Sequence, residues 1–386
     1  MDTTIKGELT TTHLPNLSLK PVANETSWNR TIYIDLLRIA ALFGIIMIHV
    51  AVTGWRDIPV DSYNWQIANM YHALSRWTVP IFVMISGVFH LRPNKTELNF
   101  NDESKIIFRK VLHLICAIIF WGILYNVMPL AGDYFLKKET VTAYDLLKIP
   151  ALVIFGKGPF HLWFLYMLIG LYLLTPIIRC FIGNCTKLHI EYFLILFFLI
   201  GTCLPLCNAF LAFIPTLRGK EIYLPVPELT GYIGYYVAGY YYANYNIEVK
   251  TKRRLYLLGM LSLLFTIIGT SLISIYRKEA TPILLGYVLP NTLFVSFAIF
   301  LLFKDASSNI TLTRRQERAI IHLSKNIFGL YLVHILALII LIKLGVSVFI
   351  INPLISIPII SILVMIISYI ITMMIRKIPV IEKYII

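Results

Sequence analysis

Residues 32–52 read IYIDLLRIAALFGIIMIHVAV. An apolar run of this length matches an α-helix crossing the ~30 Å hydrocarbon core of a bilayer. Within it lie Asp35, Arg38 and His49. A charged side chain at the centre of a membrane helix costs about 2.5–3.5 kcal/mol on insertion scales, so each of these residues is a functional candidate by default. Arg38 and His49 stand eleven positions apart. At ~100° per residue, eleven steps return to within ~20° of the start and rise about 16 Å. The two therefore share one stripe, a cation at one end and a proton-transfer group at the other. That layout suits a channel for an anionic, elongated cofactor. Taken singly, each has a plainer reading: Arg38 pairs with Asp35 at (i, i+3) or snorkels, and His49 bonds a neighbouring helix.

The rest of the chain agrees with a membrane fold. Of 386 residues, 58% are hydrophobic and 14% charged, with a mean hydropathy of +0.76. A soluble domain would be about half apolar and a quarter charged, which excludes a soluble globular enzyme. Ten candidate spans follow at about 32–52, 68–91, 108–130, 160–178, 190–210, 229–245, 255–276, 281–303, 327–345 and 353–375. Backbone in lipid must satisfy its own hydrogen bonds, and runs this long do so as helices. The predicted fold is an all-α polytopic membrane protein of about ten transmembrane helices, with a polar tail at 1–30 and one membrane domain over 31–386. Residues 141–159 are apolar but broken by Pro150, Gly156 and Pro159. They read as an interfacial or re-entrant helix on the outer face.

The net charge of +14 has its simplest explanation in orientation rather than in nucleic acid. With the N-terminus inside, the inner segments hold 22 of the 34 Lys and Arg and the outer loops 10. Both termini are therefore expected in the cytoplasm. Cys116, Cys180, Cys185, Cys203 and Cys207 form no CxxC pair and read as small packing residues. No Walker, Rossmann, HExxH or GxSxG motif is present, and no metal is expected.

Further polar residues punctuate the spans. His72 and Arg76 are (i, i+4) and share a face near the outer end of the second span. Ser86 and Gly87 are small residues of the kind that let helices approach closely. Arg92 ends that span on the inside, and His161 sits at the outer boundary of the fourth beside the belt residue Trp163. His49, His72, Arg76 and His161 then fall at one depth, which suggests a shared polar cavity. Asn126, Glu228 and His334 are weaker candidates, each equally explained by an interhelical hydrogen bond.

The segments DLLRIAALFGIIMIH, VPIFVMISGVFHL, HLWFLYMLIGLYLLTPIIR and GLYLVHI, in that order, resemble acyltransferase family 3. The first carries its Arg-x10-His signature. The resemblance implies a bacterial inner-membrane enzyme of about ten helices that moves an acyl group, usually acetyl from acetyl-CoA, onto a hydroxyl of a surface glycan or lipid-linked saccharide. It places Arg38 and His49 at the signature positions and Arg92 at a cytoplasmic-end arginine. Arg38, Arg92, Lys105 and Arg109 are expected to meet the phosphates of coenzyme A. His49 is expected as the base, with Arg76, His72 or His161 stabilising the oxyanion. Asp35, Ser86, Asn126 and His334 complete the expected polar interior. The competing readings are an exporter of a glycan or lipid-linked saccharide, whose internal charges would line a path, and a structural partner in glycan assembly.

Overall fold

A computed structural model describes residues 32–92, 100–132, 134, 140–156, 160–211, 229–307 and 310–386. The tail at 1–30, Pro159 and Glu228 lie outside the described residues. The regular structure among the described residues is helical. The first span forms α1 (Ile32–Ala51), and the second forms α2 (Tyr63–Leu74) and α3 (Thr78–His90). Then follow α4 (Phe100–Gly132), α5 (Ala143–Ile154) and α6 (Trp163–Asn184). Next, α7 (Lys187–Leu196) runs through a π-helical segment, Phe197–Cys203, into α8 (Leu204–Leu211). The chain continues as α9 (Leu229–Asn244), α10 (Val249–Arg277), α11 (Pro290–Ser307), α12 (Arg314–Lys325), α13 (Ile327–Lys343), α14 (Pro353–Ile375) and α15 (Pro379–Tyr384).

Among the described residues, seven helical stretches are long and apolar enough to cross a membrane, or eight if α12 and α13, bent by 65°, count as one. At the two other expected positions stand α9, with 16 residues, and α11, which carries Lys304 and Asp305. The span expected at 281–303 begins later, at Pro290. Proline fits the first turn of a helix, where no N–H partner is needed, and Pro282 and Gly286 favour the turns that precede it. The segment expected at 141–159 is the amphipathic α5, with Ile149 and Val153 turned inward. A capping box of Thr142 and Asp145 starts this helix. Lys148, then Thr142, hold the Asp145 carboxyl at about 2, against an ordinary 3.8. The cap is therefore complete above pH ~4 and is lost as pH falls through about 2.

Apolar side chains fill the interior and also cover the outside of the bundle. Leu257, Leu261, Leu264, Ile268 and Leu272 lie exposed along α10, and Ile355, Ile359, Ile362, Ile366 and Ile370 along α14. These three- and four-residue spacings trace stripes on helix surfaces facing lipid. The polar positions lie inside. The central helix is α1, packed against α2, α3, α11, α12, α13 and α14. On it Leu37, Ala41, Leu42, Ile46 and Val50 are fully buried.

The tightest crossing joins α3 to α9. A Cβ on Gly87 would stand 1.8 Å from the Tyr236 carbonyl oxygen, and one on Gly239 1.9 Å from that of Met84. The two backbones touch, and only glycine fits at either position.

Candidate functional site

A break in the second span delivers Arg76. The helix stops at Leu74 and resumes at Thr78. Pro80 is the cause: it has no N–H for the Arg76 carbonyl, and its ring crowds that group. Arg76 therefore sits in the break between α2 and α3 with its side chain turned inward. Its Nη1 donates to His72 Nε2 at 3.2 Å and to the Tyr287 hydroxyl at 3.1 Å. The guanidinium also lies 3.9 Å from the Tyr287 ring centre, and that ring stacks on Trp163. Because an arginine only donates, His72 accepts at Nε2 and carries its proton on Nδ1. That Nδ1 and Arg76 Nε are buried without a hydrogen-bond partner among the described residues. The break thus offers two unused donors.

Beside it three imidazoles converge. His49, in the last turn of α1, has its ring centre 5.1 Å from that of His334 on α13. His334 lies in turn 5.4 Å from His161, which occupies a single 3₁₀ turn ahead of α6. Tyr125 of α4 packs edge-on against His161 at 5.0 Å. It also ties α4 to α13, donating to the Leu332 carbonyl at 2.7 Å and accepting from Leu336 N–H at 3.2 Å. Tyr331 donates its hydroxyl to the His161 carbonyl. Arg76 is close enough to act electrostatically on both His49 and His72. The structure gathers His49, His72, Arg76 and His161 into one neighbourhood, and none of the four lines the cavities described below. His334, ranked below them in the sequence, stands between His49 and His161.

A cavity of about 290 Å³ leads toward this cluster from the Arg38 end of α1. Arg38, Ser86, Ser324 and Lys325 supply its polar lining, and Phe82, Phe164, Leu168 and Tyr331 its apolar lining. Tyr331 also contacts His161 and His334, so its ring stands between cavity and imidazoles. Arg38 lies 3.8 Å from Asp35 and packs over Phe89 at 4.8 Å. Asp35 also accepts from the Ser324 hydroxyl. Arg38 thus meets Asp35, as its plain reading expects, and also lines the cavity. The Ser86 hydroxyl bonds Tyr172, and the His90 ring bonds the Ser86 carbonyl at 2.8 Å.

A second cavity of about 550 Å³ shares Phe328 with the first and is lined by Arg109, Lys110, His113 and Lys383. Of the expected phosphate-binding residues, Arg38 and Arg109 line these two openings. Lys105 does not: it pairs with Asp102 at 3.3 Å on the exposed face of α4, one helical turn away. Arg92 is exposed just beyond α3 and lines neither cavity. Asn126 spends its amide on the Gly122 carbonyl of its own helix at 2.7 Å, which removes it from the cluster. Lys325 was missed by the sequence reading. It sits in a basic stretch that reads equally as an orientation signal.

A family model described as an acyltransferase domain, acyltransferase family 3, matches residues 31–373. The chain belongs to that family. Comparison with curated proteins and with solved structures gave no match. The match covers α1 through most of α14, so every residue of the imidazole cluster and of the Arg38 cavity lies inside it. This membrane acyltransferase carries its ionisable side chains at the meeting point of α1, α13 and the turn before α6.

Proposed function

We propose that the protein transfers an acetyl group from cytoplasmic acetyl-CoA to a hydroxyl of a glycan or lipid-linked saccharide, in a bacterial cytoplasmic membrane. The observation that carries this reading is the cavity joining Arg38 to the edge of the histidine cluster. Coenzyme A is polyanionic at one end and bears its thioester at the end of a long arm. Arg38 and Lys325 meet the phosphate end, with Arg109 and Lys110 in the neighbouring opening. The narrow apolar walls suit the arm, and the thioester then arrives beside Tyr331 and the imidazoles.

The transfer is direct. The acceptor oxygen attacks the thioester carbonyl carbon while its proton passes to His49. Negative charge gathers on the carbonyl oxygen, where the unused donors of Arg76 and His72 stabilise it. The C–S bond then breaks, its electron pair stays on sulfur, and the proton held by His49 completes the thiol. An ester and free coenzyme A result, with no net redox change.

Arg38→Ala should weaken coenzyme A binding by about 1.5–3 kcal/mol, the value of a hydrogen bond to a charged group. Arg38→Lys should restore only part of this, because lysine lacks the bidentate fork. Dephospho-coenzyme A is the matching ligand: wild type should distinguish it from coenzyme A, and Arg38→Ala should not. Titration calorimetry on purified protein reads both results. Unchanged binding by Arg38→Ala would reduce that arginine to a partner of Asp35.

The orientation has its own check. In a background without the five native cysteines, Tyr144→Cys on exposed α5 should be modified by an impermeant thiol reagent in intact cells. Arg253→Cys at the start of α10 should be spared. The reverse pattern would put the donor entrance on the wrong side of the membrane.

A further inference from the structure

His334 is wholly buried, and its two nitrogens are treated differently. Nδ1 bonds the Tyr331 carbonyl one turn back on α13. A carbonyl only accepts, so the proton is fixed on Nδ1 and Nε2 is left as an acceptor. Nε2 has no hydrogen-bond partner among the described residues. A buried polar atom without a partner costs free energy, commonly about 1–3 kcal/mol, and calls for an explanation. The nearest ring capable of supplying a proton is His49, 5.1 Å away between centres and tilted by 33°. Two imidazoles joined by an N–H···N bond of roughly 2.9 Å have their centres at about this separation.

We propose that His334 is a positioning residue for His49, and that the Tyr331 carbonyl, His334 and His49 form a relay. The inference rests on the reading of His49 as the base. When His49 takes the hydroxyl proton on one nitrogen, the N–H on its other nitrogen donates to His334 Nε2. His49, only half-buried, turns to make that bond, while His334 is held by the Tyr331 carbonyl. The backbone carbonyl and His334 together do for His49 what a buried carboxylate does for the histidine of a catalytic triad. They select its tautomer and stabilise the imidazolium. No bond to His334 is made or broken beyond this hydrogen bond.

Two substitutions separate the relay from simple packing. His334→Asn can keep the donor to the Tyr331 carbonyl but loses the acceptor. His334→Gln can place its amide oxygen near the position of Nε2. Transfer of labelled acetyl from acetyl-CoA to a membrane extract should fall about 10²-fold in His334→Asn and recover partly in His334→Gln. Coenzyme A binding, measured by calorimetry, should be unchanged in both. A His49→Ala/His334→Asn double variant should be no slower than His49→Ala alone, as expected of residues acting as a unit. Wild-type rates in His334→Asn, or an additive double variant, would overturn the relay while leaving His49 as the base. Full activity in His49→Ala would instead sink the assignment of the base itself. If His334→Asn fails to accumulate, the double-variant comparison is made with His334→Gln, and additivity there overturns the relay equally.

Discussion

Replacing His49 by alanine is expected to cut acetyl transfer by about 10²–10⁴-fold, the contribution of a positioned general base. Coenzyme A binding should survive, because the phosphate end of the donor is assigned to Arg38, about 16 Å along the same helix. The two measurements must therefore separate: rate collapses while affinity stays. The site has no second imidazole equally placed to take over. His334 is walled in and committed to Tyr331 on one nitrogen, and His161 lies on the far side of His334. Near-normal transfer by His49→Ala would remove the base from the mechanism and favour a path for export in its place.

The largest effect on stability is expected at the α3–α9 crossing. Gly87→Val would push a branched side chain into the Tyr236 carbonyl, where even a Cβ would sit at 1.8 Å. Backbone cannot yield as a flexible side chain can, so the cost should reach or exceed the ~3 kcal/mol upper range of ordinary overpacking. Little folded protein should survive detergent extraction, as read by size-exclusion profile and thermal unfolding. Gly183→Val is the control, since nothing lies within 4 Å of a Cβ at that position. Equal recovery of the two variants would show that the α3–α9 contact can open without loss of the fold.

Much of this was legible because a bilayer imposes strong rules. Runs of apolar residues located the helices, and ionisable residues inside them picked out side chains that the structure brings together. The stripe joining Arg38 to His49 needs only the helical repeat. What escaped the sequence was decided by breaks and by partners distant in the chain. Periodicity alone carried the second span straight through residues 75–77, whereas Pro80 breaks it there and turns Arg76 into the interior. His334 read as an ordinary interhelical contact because its importance comes from His49 and His161, both more than 170 positions away. Lys105 was grouped with its basic neighbours, but one turn of α4 was enough to send it to Asp102.

The ring of Tyr331 has a further consequence. It stands between the Arg38 cavity and the imidazole cluster, and its hydroxyl is tied to the turn before α6. On the proposed donor path, this ring is the last wall that the arm meets before the imidazoles. A smaller residue in its place would join the cavity to the cluster and loosen the turn that its hydroxyl holds.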